Sequence, residues 1–175
     1  MYLNKLHKTY LIRSHPNDDN WFGVKGREYL LLEGKKAHIS ASLFYLIDVI
    51  RSVLLYDWRR IDCIIFVRYL MGTAYLPSPL HKLAYLFFSK IVPSSTLMFY
   101  INVNPNEAMR RINLNRLRKE RFETSSELTN VSVKALELIR YGNWIIIDGD
   151  KSINQVHKEI VMRIQNSTKM FSPSF

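Results

Sequence analysis

Four short apolar runs punctuate the chain, at residues 10–13, 61–67, 97–103 and 144–148. Each is rich in β-branched or aromatic residues and near-continuous rather than alternating. That is the pattern of parallel strands buried on both faces beneath helices. Between the runs, apolar residues recur at three- and four-residue spacing. From a cap at Ser40, the positions Leu43, Ile47, Ile50 and Leu54 predict one helix. Ser78-Pro79 opens a second, with Leu80, Leu83, Ala84, Phe87 and Ile91 predicted on its inner face and Pro93 beyond its end. Asn104-Pro105-Asn106-Glu107 follows the third strand directly, supplying a cap, a first-turn proline and a carboxylate three positions on. A further helix is predicted over residues 131–141, ended by Gly142. The last starts at Ser152, with Gln155 three residues on and Ile153, Val156, Ile160 and Ile164 inward. One domain over residues 1–165 is expected, and residues 166–175, rich in Ser and Pro, read as a frayed tail.

Strands alternating with helices over this length predict a three-layer α/β/α domain with a mostly parallel sheet. The 175 residues are 47% hydrophobic and 23% charged, enough for one packed core and against general disorder. The lone cysteine, Cys63, excludes an internal disulfide framework and a cysteine-based zinc cage, and its place within an apolar run makes it a buried small hydrophobe. No apolar run approaches the ~18–20 residues of a membrane span, and the start lacks a secretory pattern, so a soluble, cytoplasmic chain is expected.

Charge narrows the partners. Lys and Arg total 25 against 15 Asp and Glu, a net of +10, which favours anionic partners such as nucleic acid or phosphorylated small molecules. In parallel α/β sheets ligands sit at the carboxyl ends of the strands. The first run exits into Arg13-Ser14-His15-Pro16, the second into Arg68-Tyr69 and then Gly72-Thr73-Ala74-Tyr75, and the fourth ends in Asp148-Gly149-Asp150. The helix after the third leads to Arg110, Arg111, Arg116, Arg118 and Arg121. Arginine presents a planar fork of donors matched to phosphate oxygens. Guanidinium groups at successive strand ends, Arg13 and Arg68 above all, are therefore expected to converge on one pocket. The plainer alternative is that these arginines are solvated. For Tyr45 the plainer alternative is a core position, and for His15 a structural one, since no nucleophile pattern accompanies it. The five histidines lack metal-ligand spacing.

Together these segments resemble the thymidylate kinase family, P-loop nucleoside monophosphate kinases, over residues 10–164. Arg13-Ser14-His15-Pro16 is similar to the family's Arg-Glu-Pro segment, and Leu43-Phe44-Tyr45-Leu46-Ile47-Asp48 to the helix that lays an aromatic ring on the thymine. Arg68-Tyr69 and Gly72-Thr73-Ala74-Tyr75 resemble the Asp-Arg-Tyr and Ser-x-x-Ala-Tyr motifs, with one residue fewer between them. Arg121-Phe122-Glu123 resembles the segment after the flexible lid. The resemblance implies a P-loop NTPase-like fold and transfer of the ATP γ-phosphoryl group to dTMP, with Mg2+. It implies that Arg68 holds the acceptor phosphate, Tyr45 stacks on the base, and Thr73 and Tyr75 lie along base and sugar. Arg13 approaches the same site, while Arg116 and Arg118 act catalytically from the lid. Phosphoryl transfer asks for such alignment and charge stabilisation more than for covalent help, and a closed lid keeps water from the transferring group. A homodimer is compatible with the family, and no membrane partner is expected.

Three departures qualify the likeness. Val67 stands where the family has the aspartate of Asp-Arg-Tyr, and Val49 where an arginine meets the thymine edge. No Gly-x-x-x-x-Gly-Lys-[Ser/Thr] occurs in the 175 residues; Gly34-Lys35-Lys36 precedes Ala37 and follows no strand. The family's central first strand and its phosphate loop, roughly 30 residues, are thus expected to be missing, with the first eight residues as the last turns of the helix that follows them. The expected explanation is that Met1 is an internal methionine of a longer protein; a genuinely shortened relative is the alternative. Without that strand the runs at 61–67 and 97–103 lose their common neighbour, and the chain alone is expected to be inactive. A non-catalytic nucleotide- or phosphate-binding relative is the competing function. A nucleic-acid-binding domain is a weaker third, because a basic lid explains the same arginines and no nucleic-acid module is visible.

Overall fold

The computed structural model describes residues 3, 7–30, 32, 35–55, 60–93, 95, 97–115 and 124–170. Strands β1 (Tyr10–Ser14), β2 (Cys63–Val67), β3 (Met98–Asn102) and β4 (Trp144–Asp148) fall within two residues of the four apolar runs. Helices are α1 (Trp21–Leu30), α2 (Lys35–Leu55), α3 (Leu80–Ile91), α4 (Pro105–Asn115), α5 (Ser125–Leu138) and α6 (Ile153–Met170). Among the described residues two 3-10 turns, Leu70–Tyr75 and Ile139–Tyr141, precede α3 and β4.

β1 pairs with β2 and β3 with β4, both in parallel, and helices carry each crossover, as parallel neighbours require. Among the described residues β2 and β3 share no ladder, so the strands form two separate pairs. The division holds for the described residues. It leaves apolar surface uncovered: Ile12, Val67, Ile101 and Ile146 are 42–50% exposed, where strands covered on both faces would be nearly buried.

The core lies to one side of the strands. Leu70 and Ala74 of the first 3-10 turn meet Tyr85, Phe88 and Val92 at α3 and Ala135 and Leu138 of α5. The Trp144 indole N–H donates to the Tyr85 hydroxyl at 2.8 Å, tying α3 to β4. Gly142 has an extended backbone (φ −153°) rather than the left-handed one of a helix-ending glycine. Its role is space, because a Cβ there would meet the Tyr85 hydroxyl and the Trp144 ring.

Several helical faces differ from expectation. On α3 the buried positions are His81, Tyr85 and Phe88, whereas Leu80, Leu83, Phe87 and Ile91 face outward. The helix is apolar on two sides, and its inner side includes a histidine, paired at 3.1 Å with Glu137; periodicity therefore selected the greasier, outer stripe. On α2 the buried face is Ala41, Ser42, Tyr45, Asp48, Val49 and Ser52, with Leu43 and Leu54 exposed. On that face Asp48 and Ser52 hydrogen-bond to the end of β1 and the loop after it. α1 was not foreseen; the Asn20 side chain accepts from the Gly23 N–H at 3.0 Å at its start. α5 begins six residues earlier than predicted, at a Thr124 cap whose hydroxyl accepts from the Glu127 N–H at 3.3 Å. At α6, Ser152 and Gln155 form the reciprocal cap that their spacing predicts, and the helix continues through residues 166–170 into the expected tail. Of the first eight residues only 3, 7 and 8 are described.

Candidate functional site

The site forms where β1 and β2 end. The ladder continues one step past β1, the His15 N–H donating to the Val67 carbonyl at 3.2 Å. The chain then enters the loop of Pro16 to Asn20. Asp48, wholly buried on α2, fastens that loop by accepting from His15 Nδ1 (2.8 Å), the Asn17 N–H (2.8 Å) and Asn20 Nδ2 (2.6 Å). Burial alone would raise the Asp48 pKa, but these hydrogen bonds outweigh it and hold the carboxyl below its ordinary range.

One step past β2, Arg68 adopts φ 60°. For a residue with a Cβ this left-handed conformation costs roughly 1–2 kcal/mol, and strain of this kind concentrates at functional sites. Arg68 lines a cavity of about 30 Å³ with Pro16, Ala41, Ser42, Tyr45, Gly72 and Tyr75. Tyr45 is buried and donates its hydroxyl to the Tyr69 carbonyl at 2.9 Å. Burial pushes its phenol well above the ordinary tyrosine range, and the charge of Arg68 opposes part of the rise. Gly72 has no alternative in this packing, since a Cβ would overlap the Tyr45 ring.

Of the residues singled out in the sequence, the fold brings Tyr45, Arg68 and Tyr75 to one cavity. Arg13 and Thr73 are not part of its lining. Arg13 is buried and donates to Asp19 (2.8 Å) and to the Ser52 hydroxyl (3.3 Å); the expected convergence of Arg13 with Arg68 on a shared cavity is not found. Thr73 is buried and donates its hydroxyl to the Leu70 carbonyl at 2.8 Å, bracing the 3-10 turn. Val49 is buried at 3% exposure and Val67 is 42% exposed. Arg116, Arg118 and the Arg121-Phe122-Glu123 segment lie outside the described residues.

Sequence reasoning did not select Ala41 and Ser42, although both sit three or four positions before Tyr45 and so share its helical face. It also passed over Asp48 as a loop anchor, for a carboxylate in a helix carries no local mark of burial.

A second, open cleft of about 580 Å³ lies past the ends of β3 and β4, lined by Asn104, Asn106, Glu107, Arg110 and Asp150. Glu107 accepts from Arg110 (2.7 Å) and Arg111 (2.7 Å), and Arg111 also donates to the Gly149 carbonyl at 2.8 Å. Arg111 thus holds α4 against the turn after β4, while Arg110 pairs with Glu107 within α4. A resident magnesium ion is not supported by these residues. Among the described residues no three His, Cys, Asp or Glu side chains group as ligands, and Val67 supplies no carboxylate beside Arg68. No described helix is long and apolar enough to cross a membrane.

The family model "Thymidylate kinase" matches residues 1–160. Thymidylate kinases of two Leptospira interrogans strains, serovars copenhageni and Lai, are each 40% identical over 63 residues, 36% of this chain. The match spans 30% of the length of those relatives. In three dimensions the chain is similar to M. mycoides deoxyadenosine kinase with bound dATP, with a TM-score of 0.65 and 16% identity over 94% of this chain and 89% of that one. The same enzyme with dCMP and a flexible dCDP superposes with a TM-score of 0.64 and 19% identity, over 95% of this chain and 90% of that one. At such identities the likeness establishes a shared fold alone, and the family match over most of the chain shows the membership: this protein belongs to the thymidylate kinase family.

Proposed function

We propose that the chain carries the acceptor side of a nucleoside monophosphate kinase, in which the γ-phosphoryl group of ATP passes to dTMP. The observation that carries this reading is Arg68, held in a left-handed conformation at the tip of β2 on a cavity walled by Tyr45 and Tyr75. A guanidinium beside two aromatic rings suits a phosphate joined to a flat base. In this reading Arg68 binds the acceptor phosphate, Tyr45 stacks on the base, and Tyr75 lies along the sugar. Arg13 acts indirectly, by tying β1 to α2 through Asp19 and Ser52, and Thr73 by bracing the turn that presents Tyr75. Arg116 and Arg118 neutralise the transferring group from the lid. Magnesium would enter with the ATP phosphates, as that ion commonly does.

The 175 residues contain no Walker A motif, so on their own they should bind a monophosphate better than ATP and show no turnover. Titration calorimetry with dTMP, dUMP and ATP tests this; tight magnesium-dependent ATP binding with no monophosphate binding would refute it. A homodimer belongs to the same proposal, supported by the outward stripe of Leu80, Leu83, Phe87 and Ile91, 44–60% exposed. So does a cytoplasmic location, where such nucleotides are used.

Val67 and the missing motif favour a second reading, a relative that binds nucleotide without transferring phosphate. Supplying a donor-site segment upstream and assaying ADP formation separates the two, since turnover in that protein is incompatible with the second.

A further inference from the structure

His15 occupies a position that the acceptor reading leaves unused. It is 1% exposed, its ring stacked on Phe66 (centroids 5.9 Å) and edge-on to Tyr45 (6.2 Å). Its main chain continues the β1–β2 ladder one residue before Arg68, and the next residue, Pro16, lines the cavity. Nδ1 lies 2.8 Å from the Asp48 carboxylate, which also accepts two other donors. An ionised carboxylate only accepts, so Nδ1 carries a proton, and in the neutral ring Nε2 is then the acceptor nitrogen. That Nε2 is buried and has no hydrogen-bond partner. An unmade hydrogen bond on a buried group is a cost that a ligand can recover.

The cavity gives the opportunity. At about 30 Å³ it has room for one water molecule, and a nucleotide enters only if the aromatic wall opens. Tyr45 belongs both to that wall and to the ring contacts of His15, so a nucleotide that turns the Tyr45 ring aside on entry would meet the imidazole. We propose that His15 is a further acceptor-site residue, its Nε2 taking a hydrogen bond from an N–H or O–H of the nucleoside part of the bound monophosphate. The proposal rests on the acceptor reading above.

Calorimetry on the whole chain tests it, with dTMP, N3-methyl-dTMP and 3′-deoxy-dTMP as probes and thermal melting to verify folding. His15→Phe should weaken dTMP binding about 3- to 10-fold, the worth of one hydrogen bond. The penalty should vanish with the analogue that lacks the donor: the N3-methyl compound if the base N–H is read, the 3′-deoxy compound if the sugar hydroxyl is. Wild-type dTMP binding with no penalty in His15→Phe, or an equal penalty with all three probes, overturns this inference and leaves the acceptor reading intact. Wild-type protein that binds no monophosphate overturns both. Should the variant not fold, the wild type still decides by nitrogen-15 NMR. The His15 Nε2 resonance shifts at saturating dTMP if it accepts the bond, and an unchanged resonance overturns the proposal.

Discussion

Arg68 carries two separable costs and benefits. Its backbone sits at φ 60°, where glycine is at ease and any residue with a Cβ is strained. Its side chain faces the cavity. Arg68→Ala removes the guanidinium and keeps the strain, so dTMP binding should weaken by roughly 1.5–3 kcal/mol, the worth of a hydrogen bond to a charged group. Arg68→Gly removes both, and in thermal unfolding it should be about 1 kcal/mol more stable than the alanine variant. Equal stability of the two would mean that the left-handed conformation is not kept in solution. Unchanged dTMP affinity in both would place the acceptor phosphate elsewhere. Gly72→Ala probes the opposite wall, because the new methyl overlaps the Tyr45 ring. Overpacking there should cost roughly 1–3 kcal/mol of stability and be relieved by Tyr45→Ala in the double variant.

At the level of elements, caps and charge pairs decide where helices start and how they respond to pH. Thr124→Ala should destabilise α5 by about 1 kcal/mol, read from the urea midpoint. Glu107, in the first turn of α4, is held down to about 2 by the guanidinium groups of Arg110 and Arg111. Asp62 is likewise held at about 2, first by the Thr9 hydroxyl, then by the Thr9 N–H and Lys8. Both carboxyls have folded-state values below their unfolded ones. Their contribution is therefore complete above about pH 4.5, declines as pH falls, and is gone once pH passes below about 2. Carbon-13 NMR should find both side chains titrating near 2; ordinary values would mean that the pairs are not maintained. The strands were legible because they are dense β-branched and aromatic runs between turn residues, whereas α1 and the start of α5 were not. What local pattern did not reveal was which side of a helix is inside. α3 has an apolar stripe on each side, and the buried one includes His81, whose partner Glu137 lies far along the chain.

Across the whole molecule, the two unjoined strand pairs and the outward stripe of α3 leave apolar surface that a stable monomer seldom shows. If that stripe pairs two copies, light scattering at micromolar concentration should give twice the chain mass, and Phe87→Glu should return it to the monomer value. A monomeric wild type would remove the dimer from the proposal. Composition and run pattern by themselves indicated a parallel α/β chain, and its strand-exit segments resembled the thymidylate kinase family, with Arg13, Tyr45, Arg68, Thr73 and Tyr75 expected at the acceptor site and Arg116 and Arg118 in the lid. Such features are local, because β-branched runs, caps and turn residues act within a few positions of one another. Only the tertiary structure decided that Arg13 turns to Asp19, that Thr73 braces its own turn, and that His15 and Asp48 form a buried pair behind the cavity. His15 and Asp48 are 33 residues apart, while Asp19 lies only six residues from Arg13 and Leu70 three from Thr73; for these the direction in which a strand end or a turn points its side chain decides, and spacing along the chain does not encode direction.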